Sequence, residues 1–335
     1  MIMQPQRTIG IIGWGSIGQK HFRTIREIDP DASIWIVTRQ TLEGDHHPGA
    51  KAFVTASVDE MAKQSPDAVI VATPASEHHA PVAQLIERAG QIIIEKPVSD
   101  TVDGADHIRR SEINGKSPVR VAYNLRYLEG LKQTEAVLDS DQLGRIMHFS
   151  MTVGQSLNQW RPGREIGQTV SAQRSKGGGV LRELSHELDL AIRLFGRPSG
   201  SQLMRGRMRF DDANVEDTAM INAVFTQAHH PVMGSLQLDF TREDMTREIT
   251  ITGDKASLKW NLLRGTISLH DAASEKAIMN NPEDIRQTHH RMWDAILNGG
   301  ANLLPEVDHA ALIIRWIEDM ENQSPMITPS PEARG

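Results

Sequence analysis

The chain contains no cysteine. Disulfide staples, thiolate nucleophiles and cysteine-ligated metals are thereby excluded. Aromatic residues make up only 4% of it, and the only two tyrosines are Tyr123 and Tyr127. No apolar run approaches the ~18 residues that a membrane helix needs. The short polar stretch before Thr8 lacks the charged, apolar and small-residue regions of a secretory signal. An excess of positive charge is also missing, the formal net charge being −7. A globally acidic chain argues against nucleic acid as its main partner. Repeats and low-complexity tracts are absent. The resulting expectation is a protein of the cytoplasm with neither a membrane nor a nucleic-acid partner.

What is present fits a globular protein of two domains: 335 residues, 39% hydrophobic and 24% charged. The first third alternates apolar strands with helices. Strands are expected at Ile9–Ile12, Ser33–Thr38, Ala68–Ala72, Gln91–Ile94 and Val119–Ala122. A helix with Phe22, Ile25 and Ile28 on one face is expected after the first, stopped at Asp29-Pro30-Asp31. Another is expected over His79–Ala89, closed by Gly90. This is the pattern of a parallel sheet covered on both faces. After Tyr123 it changes. A helix at Leu131–Leu138 precedes strands at Arg145–Val153, Gln202–Phe210, Thr218–Phe225, Val232–Phe240 and Thr246–Thr252, several of them alternating in polarity. Helical periods return at Pro282–Leu297 and Pro305–Met320. The fold class expected is α/β: a doubly wound nucleotide-binding domain over 1–123, an α+β domain with a large, mostly antiparallel open sheet over 124–323, and a loose tail over 324–335.

Gly13-Trp14-Gly15-Ser16-Ile17-Gly18 is a G-x-G-x-x-G between the first strand and the first helix. The first glycine permits the tight turn and the second the approach of a pyrophosphate. The third permits close packing of helix on strand. Phosphates then lie at the helix N-terminus, where N–H groups and the dipole favour anions. Trp14 is expected to pack its ring locally. An NAD site usually carries an acid at the end of the second strand, but here stand Thr38 and Arg39, with no acid before Glu43. A hydroxyl and a guanidinium suit a 2′-phosphate, so NADP is favoured over NAD. Glu95-Lys96-Pro97 closes the strand ending at Ile94. At the carboxyl end of a parallel strand, Lys96 can hydrogen-bond a hydroxyl or carbonyl and pass a proton.

The order of these features resembles the glucose–fructose oxidoreductase, inositol dehydrogenase and MocA family. The resemblance is carried by the glycine turn, Ala72-Thr73-Pro74 with His78, Glu95-Lys96-Pro97 and Tyr123-Asn124-Leu125-Arg126-Tyr127. It continues through Leu143-Gly144-Arg145-Ile146, Gly177-Gly178-Gly179, His186 with Asp189, and Val215-Glu216-Asp217. It implies an N-terminal Rossmann domain and a C-terminal domain whose open sheet joins subunits into a homodimer or homotetramer. It further implies an NAD(P)-dependent oxidoreductase for sugars, inositols or nucleotide-linked sugars, without a metal. Thr73, Pro74, His78, Glu95 and Lys96 would join the glycine turn in holding the cofactor. Lys96 would stand beside the reacting hydroxyl, and the Lys96-Pro97 bond would be cis. His186 would be the catalytic histidine. The family's carboxylate four residues earlier is replaced by Arg182, and Glu183 aligns in its stead.

The residues themselves add to this. Val180–Phe195 has a helical apolar period that sets Glu183, His186 and Asp189 three apart along one face. The glycine triplet before it offers bare backbone to a cofactor or substrate. These three titratable residues are taken with Lys96 as the catalytic set, with the roles of Glu183 and Asp189 left open between orienting the ring and binding a hydroxyl. Tyr123, Asn124 and Arg126 at the end of the first domain, and Trp160 and Arg161 in a loop fit to clamp a sugar phosphate, are candidate substrate contacts. Packing is the ordinary role of both tyrosines. The adjacent pairs His46-His47, His229-His230 and His289-His290 do not share a face and suggest no metal site. Two other functions share the fold: an NAD-dependent glycosidase with no net redox change, and a non-catalytic sensor of the cofactor. Intact Lys96 and His186 argue against the sensor. Net change of nicotinamide absorbance separates the dehydrogenase from the glycosidase.

Overall fold

The computed structural model describes residues 6–42, 48–160, 162–227, 230–281, 284–300 and 302–328. Contacts group the chain into two units, Met1–Asn124 with His289–Ile314, and Leu125–Thr288 with Arg315–Gly335. Segment His289–Ile314 thus belongs with the first unit although it follows the second sheet in sequence. Among the described residues no helix is long and apolar enough to cross a membrane.

The first unit is built on six parallel strands: β1 (Thr8–Ile12), β2 (Ser33–Val37), β3 (Ala52–Thr55), β4 (Ala68–Val71), β5 (Ile92–Ile94) and β6 (Val119–Val121). Their spatial order is β3-β2-β1-β4-β5-β6. Every residue of β4 and β5 is buried, which is why these strands read as unbroken apolar runs. The order reverses between β1 and β4, and ligands of doubly wound sheets bind at the strand ends flanking such a reversal. Helix Ser16–Ile28 buries Gly18, His21, Thr24 and Ile25. Its inner face therefore runs through His21, with Phe22 and Ile28 only half-buried. Helix His79–Leu85 stops short of the expected Ala89. Gly90 is no helix cap: its N–H donates to the Pro66 carbonyl, and a side chain there would strike the Asp67 backbone.

The second unit carries nine strands: β7 (Ile146–Gly154), β8 (Pro198–Gly206), β9 (Thr218–Gln227), β10 (His230–Asp239), β11 (Thr246–Gly253), β12 (Ser257–Asn261), β13 (Thr266–His270), β14 (Glu275–Asn280) and β15 (Met326–Ile327). The order is β14-β13-β12-β11-β7-β10-β9-β8-β15, antiparallel apart from β7 with β10 and β8 with β15. Its core gathers Phe149 stacked on Phe195 at 4.0 Å, with Phe225 edge-on to Trp316 at 5.8 Å.

Three expectations are corrected here. β8 begins at Pro198 and ends at Gly206 instead of Phe210, because the Asp217 carboxylate accepts the N–H groups of Met208, Arg209 and Phe210 at 2.8, 2.7 and 3.0 Å and draws them out of the ladder. The tail is not loose throughout. Ser324 donates to the Leu203 carbonyl at 2.7 Å, and Met326–Ile327 pairs with β8. Residues 329–335 lie outside the described residues. Val180–Phe195 is not one helix but two, Val180–Glu183 and Ser185–Phe195, broken at Leu184 (φ −99, ψ 27).

Candidate active site

In the first unit the glycine turn sits at the strand-order reversal. Gly13 has φ +99, and its N–H donates to the Val37 carbonyl at 2.9 Å. A Cβ there would lie 2.6 Å from the Ala72 carbonyl oxygen at the end of β4. One on Gly18 would overlap the Gly13 carbonyl. Gly15 is the opposite case: a Cβ would meet nothing within 4 Å, and no side chain caps the helix that starts at Ser16. An anion can therefore reach that helix start. Trp14 packs its ring edge-on against Phe22 at 5.5 Å, leaving only its backbone in the turn. Thr38 accepts the Gln40 N–H at 3.1 Å, Arg39 is exposed, and residues 38–42 contain no carboxylate.

Beyond β4, the Thr73 hydroxyl oxygen is buried with no hydrogen-bond partner among the described residues. His78 is buried. Its Nε2 lies 2.9 Å from the Thr73 carbonyl and its Nδ1 lies 3.1 Å from the Val98 carbonyl. It thus ties the loop carrying Thr73 and Pro74 to the turn carrying Lys96, which makes it a strut of the site and not a surface for a ligand. Burial pushes its imidazole pKa down, against the pull of these two carbonyls.

Glu95, at the end of β5, is buried. Its Oε1 lies 2.8 Å from His21 Nε2, and its Oε2 accepts the Lys96 N–H at 3.2 Å. Burial acts to raise the carboxyl, but the forces led by the His21 hydrogen bond outweigh it and hold the group below the usual carboxylate range. His21 Nδ1 in turn accepts the Trp293 indole N–H at 2.9 Å. His289 packs beside His21, with the Asn124 amide nitrogen 3.1 Å from its ring. Burial, with Lys20 nearby, pushes His289 down to about 3, so its ring is neutral. Lys96 is half-buried, and the Lys96-Pro97 bond is cis, as the resemblance implies. Tyr123 is fully buried.

In the second unit, His186 and Glu183 are half-buried whereas Asp189 is buried completely. Glu183 accepts the Ser171 hydroxyl at 2.8 Å. Asp189 is engaged by Arg126: Nε reaches its two oxygens at 3.1 and 3.0 Å, and Nη2 reaches Oδ1 at 2.6 Å. Two residues read as separate substrate and catalytic groups are thus partners of each other. Arg182, at the position of the family's carboxylate, is fully buried and forks onto Glu321 at 2.9 and 3.0 Å, joined there by Arg174 and Arg205. Two glycines of the triplet are required by the chain itself. A Cβ on Gly178 would overlap the Val170 carbonyl, and one on Gly179 (φ +107) would lie 2.5 Å from Glu216 Oε1. Trp160 packs edge-on to Phe240 at 5.5 Å. Arg161, His46, His47 and His229 lie outside the described residues.

The sequence reading passed over His21 and Trp293, and took His289 only as half of an adjacent pair. A signal existed. Gly18, His21 and Ile25 share one helical face, as do His289, Met292 and Trp293 at i, i+3 and i+4. Of the pair His289-His290 only the first turns inward.

Residues 7–123 match the GFO/IDH/MocA model described as an oxidoreductase family with an NAD-binding Rossmann fold, and residues 131–259 match the GFO/IDH/MocA C-terminal domain. The chain is 30% identical over 165 residues to the inositol 2-dehydrogenase/D-chiro-inositol 3-dehydrogenase of Halalkalibacterium halodurans, a stretch covering 44% of this chain and 45% of that protein. It spans about half the length of the curated relatives it matches. A levoglucosan dehydrogenase solved in complex with NADH superposes with a TM-score of 0.80 at 18% identity, covering 96% of this chain and 100% of that chain. An inositol dehydrogenase homologue from Azotobacter vinelandii, complexed with NAD+, superposes at 0.75 with 17% identity, covering 96% and 97%. At such identities the likeness is one of fold. Matched by both domain models in order, the chain belongs to the GFO/IDH/MocA family of oxidoreductases.

Proposed function

We propose that the protein is an NAD(P)-dependent oxidoreductase acting on a hydroxyl or carbonyl of a sugar, an inositol or a nucleotide-linked sugar. The observation that carries this reading is the open helix start at Gly15 on the strand-order reversal, with Glu95-Lys96 at the end of β5 on the same edge of the sheet. The activities named for similar proteins, inositol 2-dehydrogenase and levoglucosan dehydrogenase, support a polyhydroxylated ring as substrate. The residues fit a dinucleotide. Gly13, Trp14, Gly15, Ser16, Ile17 and Gly18 would supply the backbone cradle, and the buried Thr73 hydroxyl and Pro74 its wall. When bound, the nicotinamide exchanges a hydride with the carbon bearing the reacting oxygen. Lys96 hydrogen-bonds that oxygen, and His186 exchanges its proton with it. Glu183, tied to Ser171, orients the histidine's surroundings. Residues 1–123, joined in their unit by 289–314, would bind the cofactor, and the rest of 124–323 the substrate. A panel of sugars, inositols and nucleotide sugars, read by nicotinamide absorbance with both cofactors, tests the whole reading. No net absorbance change with any of them would refute it.

His186→Asn is expected to lose most turnover and the pH-dependent limb of kcat/KM, with nucleotide affinity retained. A mutant keeping both the rate and the profile removes His186 from the chemistry. For the cofactor, Thr38 and Arg39 favour a 2′-phosphate, so NADP(H) is the preferred form. Arg39→Asp should then reverse the ratio of NADP(H) to NAD(H) affinity, whereas equal affinities in both proteins would discard the assignment. A homo-oligomer is supported by Met204, Met220, Val224 and Met233, exposed on one face of neighbouring strands β8, β9 and β10. The exposed Gln202, Asn222 and Ser235 stand between the two pairs, Met204–Met220 and Val224–Met233, so the face offers two small apolar spots for a second subunit to cover.

A further inference from the structure

The buried carboxylate of Glu95 raises a question of charge. A buried anion needs a partner, and the group hydrogen-bonded to it most directly is an imidazole. An imidazolium there would cancel the carboxylate. The geometry prevents this. His21 is fully buried, and its Nδ1 receives the Trp293 indole N–H at 2.9 Å. An indole nitrogen can only donate. Nδ1 therefore offers its lone pair, the ring hydrogen resides on Nε2, and Nε2 donates it to Glu95 at 2.8 Å. A second proton on Nδ1 would point at the indole N–H. His289 Nδ1 lies 3.1 Å from the Asn124 amide nitrogen.

The ionisable groups facing this pocket are Lys20 and His21 from helix Ser16–Ile28, His78 just before helix His79–Leu85, His289 from helix Gln287–Asn298, and Lys96 from the turn itself. The His21 ring is held neutral by a donor that cannot accept. Of the two lysines, Lys96 is the one whose charge acts on Glu95 and whose backbone N–H is fixed by Glu95 Oε2 at 3.2 Å. We propose that Trp293, His21 and Glu95 are positioning residues for Lys96: the indole fixes the tautomer of His21, His21 holds Glu95 by a hydrogen bond without neutralising it, and Glu95 supplies both the anchor and the counter-charge of the lysine. This rests on the reading of Lys96 as the residue that hydrogen-bonds the reacting oxygen.

The test uses the full chain. With 15N-labelled histidine, NMR of the nucleotide-free protein should show His21 in the Nε2–H tautomer throughout the neutral range. Trp293→Phe should release that restriction. A wild-type His21 protonated on Nδ1 overturns the relay. In turnover, Trp293→Phe and His21→Leu should lower kcat by about tenfold or more, the scale of a mispositioned catalytic group, with nucleotide Kd unchanged. His21→Gln keeps a donor toward Glu95 and should recover most of the loss, which a role in packing alone would not produce. Wild-type kcat in Trp293→Phe, or equal losses in the Gln and Leu variants, overturns the relay alone. Absence of any turnover in the wild type overturns the underlying reading, and the relay with it.

Discussion

Lys96→Met is expected to lower kcat by on the order of 10² or more, the usual contribution of a placed proton donor or acceptor. Nucleotide affinity and the melting temperature should stay near those of the wild type. The expectation follows from where the lysine stands. It ends β5, one strand from the strand-order reversal, and it is half-buried beside a carboxylate that stays ionised. Methionine fills the same volume with no charge and no proton. Lys96→Arg separates the two properties, since a guanidinium keeps the charge but does not give up its proton in a protein. If charge alone matters, arginine restores the rate. If proton transfer matters, arginine stays near methionine. Turnover of the methionine variant within a few-fold of wild type would make Lys96 an ordinary solvated side chain.

The parts of the fold that were legible are those in which composition and position agree. β4 and β5 are buried on both faces and carry only apolar residues, and the glycine turn follows the first strand directly. The elements passed over break that agreement. Helix Val102–Asn114 is mostly polar with only Ala105 and Ile108 buried, and is held at its start by the Thr101 hydroxyl accepting the Gly104 N–H. β3 has four residues with one buried, and β14 lies at the sheet edge with no buried residue. The site divides in the same way. Lys96 could be assigned because its neighbours in sequence mark a strand end. Its supports, His21 and Trp293, are 272 positions apart and meet only once the helices are packed, so no local pattern announces their hydrogen bond. The stripe Glu183, His186, Asp189 was read from its period and from the family resemblance, neither of which reports burial. The fold gives its members different environments, half-buried at the first two and fully buried at the third.

That difference leads to the second large effect. Asp189→Ala should destabilise the protein by about 3–5 kcal/mol, the cost of removing one partner from a buried ion pair. Asp189 is completely inaccessible, and the Arg126 side chain is 8% exposed. Three of the arginine's hydrogen bonds end on this carboxylate, in a planar fork that a water molecule would reproduce poorly. Most of the loss comes from the guanidinium left behind, not from the carboxylate removed. The double variant Asp189→Ala with Arg126→Met should therefore be more stable than Asp189→Ala alone, and denaturant unfolding of the four proteins of the cycle measures this directly. The same experiment decides between the roles the sequence left open. As a structural partner of Arg126, Asp189 should affect how much protein is folded but change kcat per folded molecule little in the double variant. Glu183→Gln, altered at a half-buried residue three positions before His186, should do the reverse. A stable Asp189→Ala protein with its turnover lost would return Asp189 to the catalytic set and leave the ion pair with Arg126 as a minor contact.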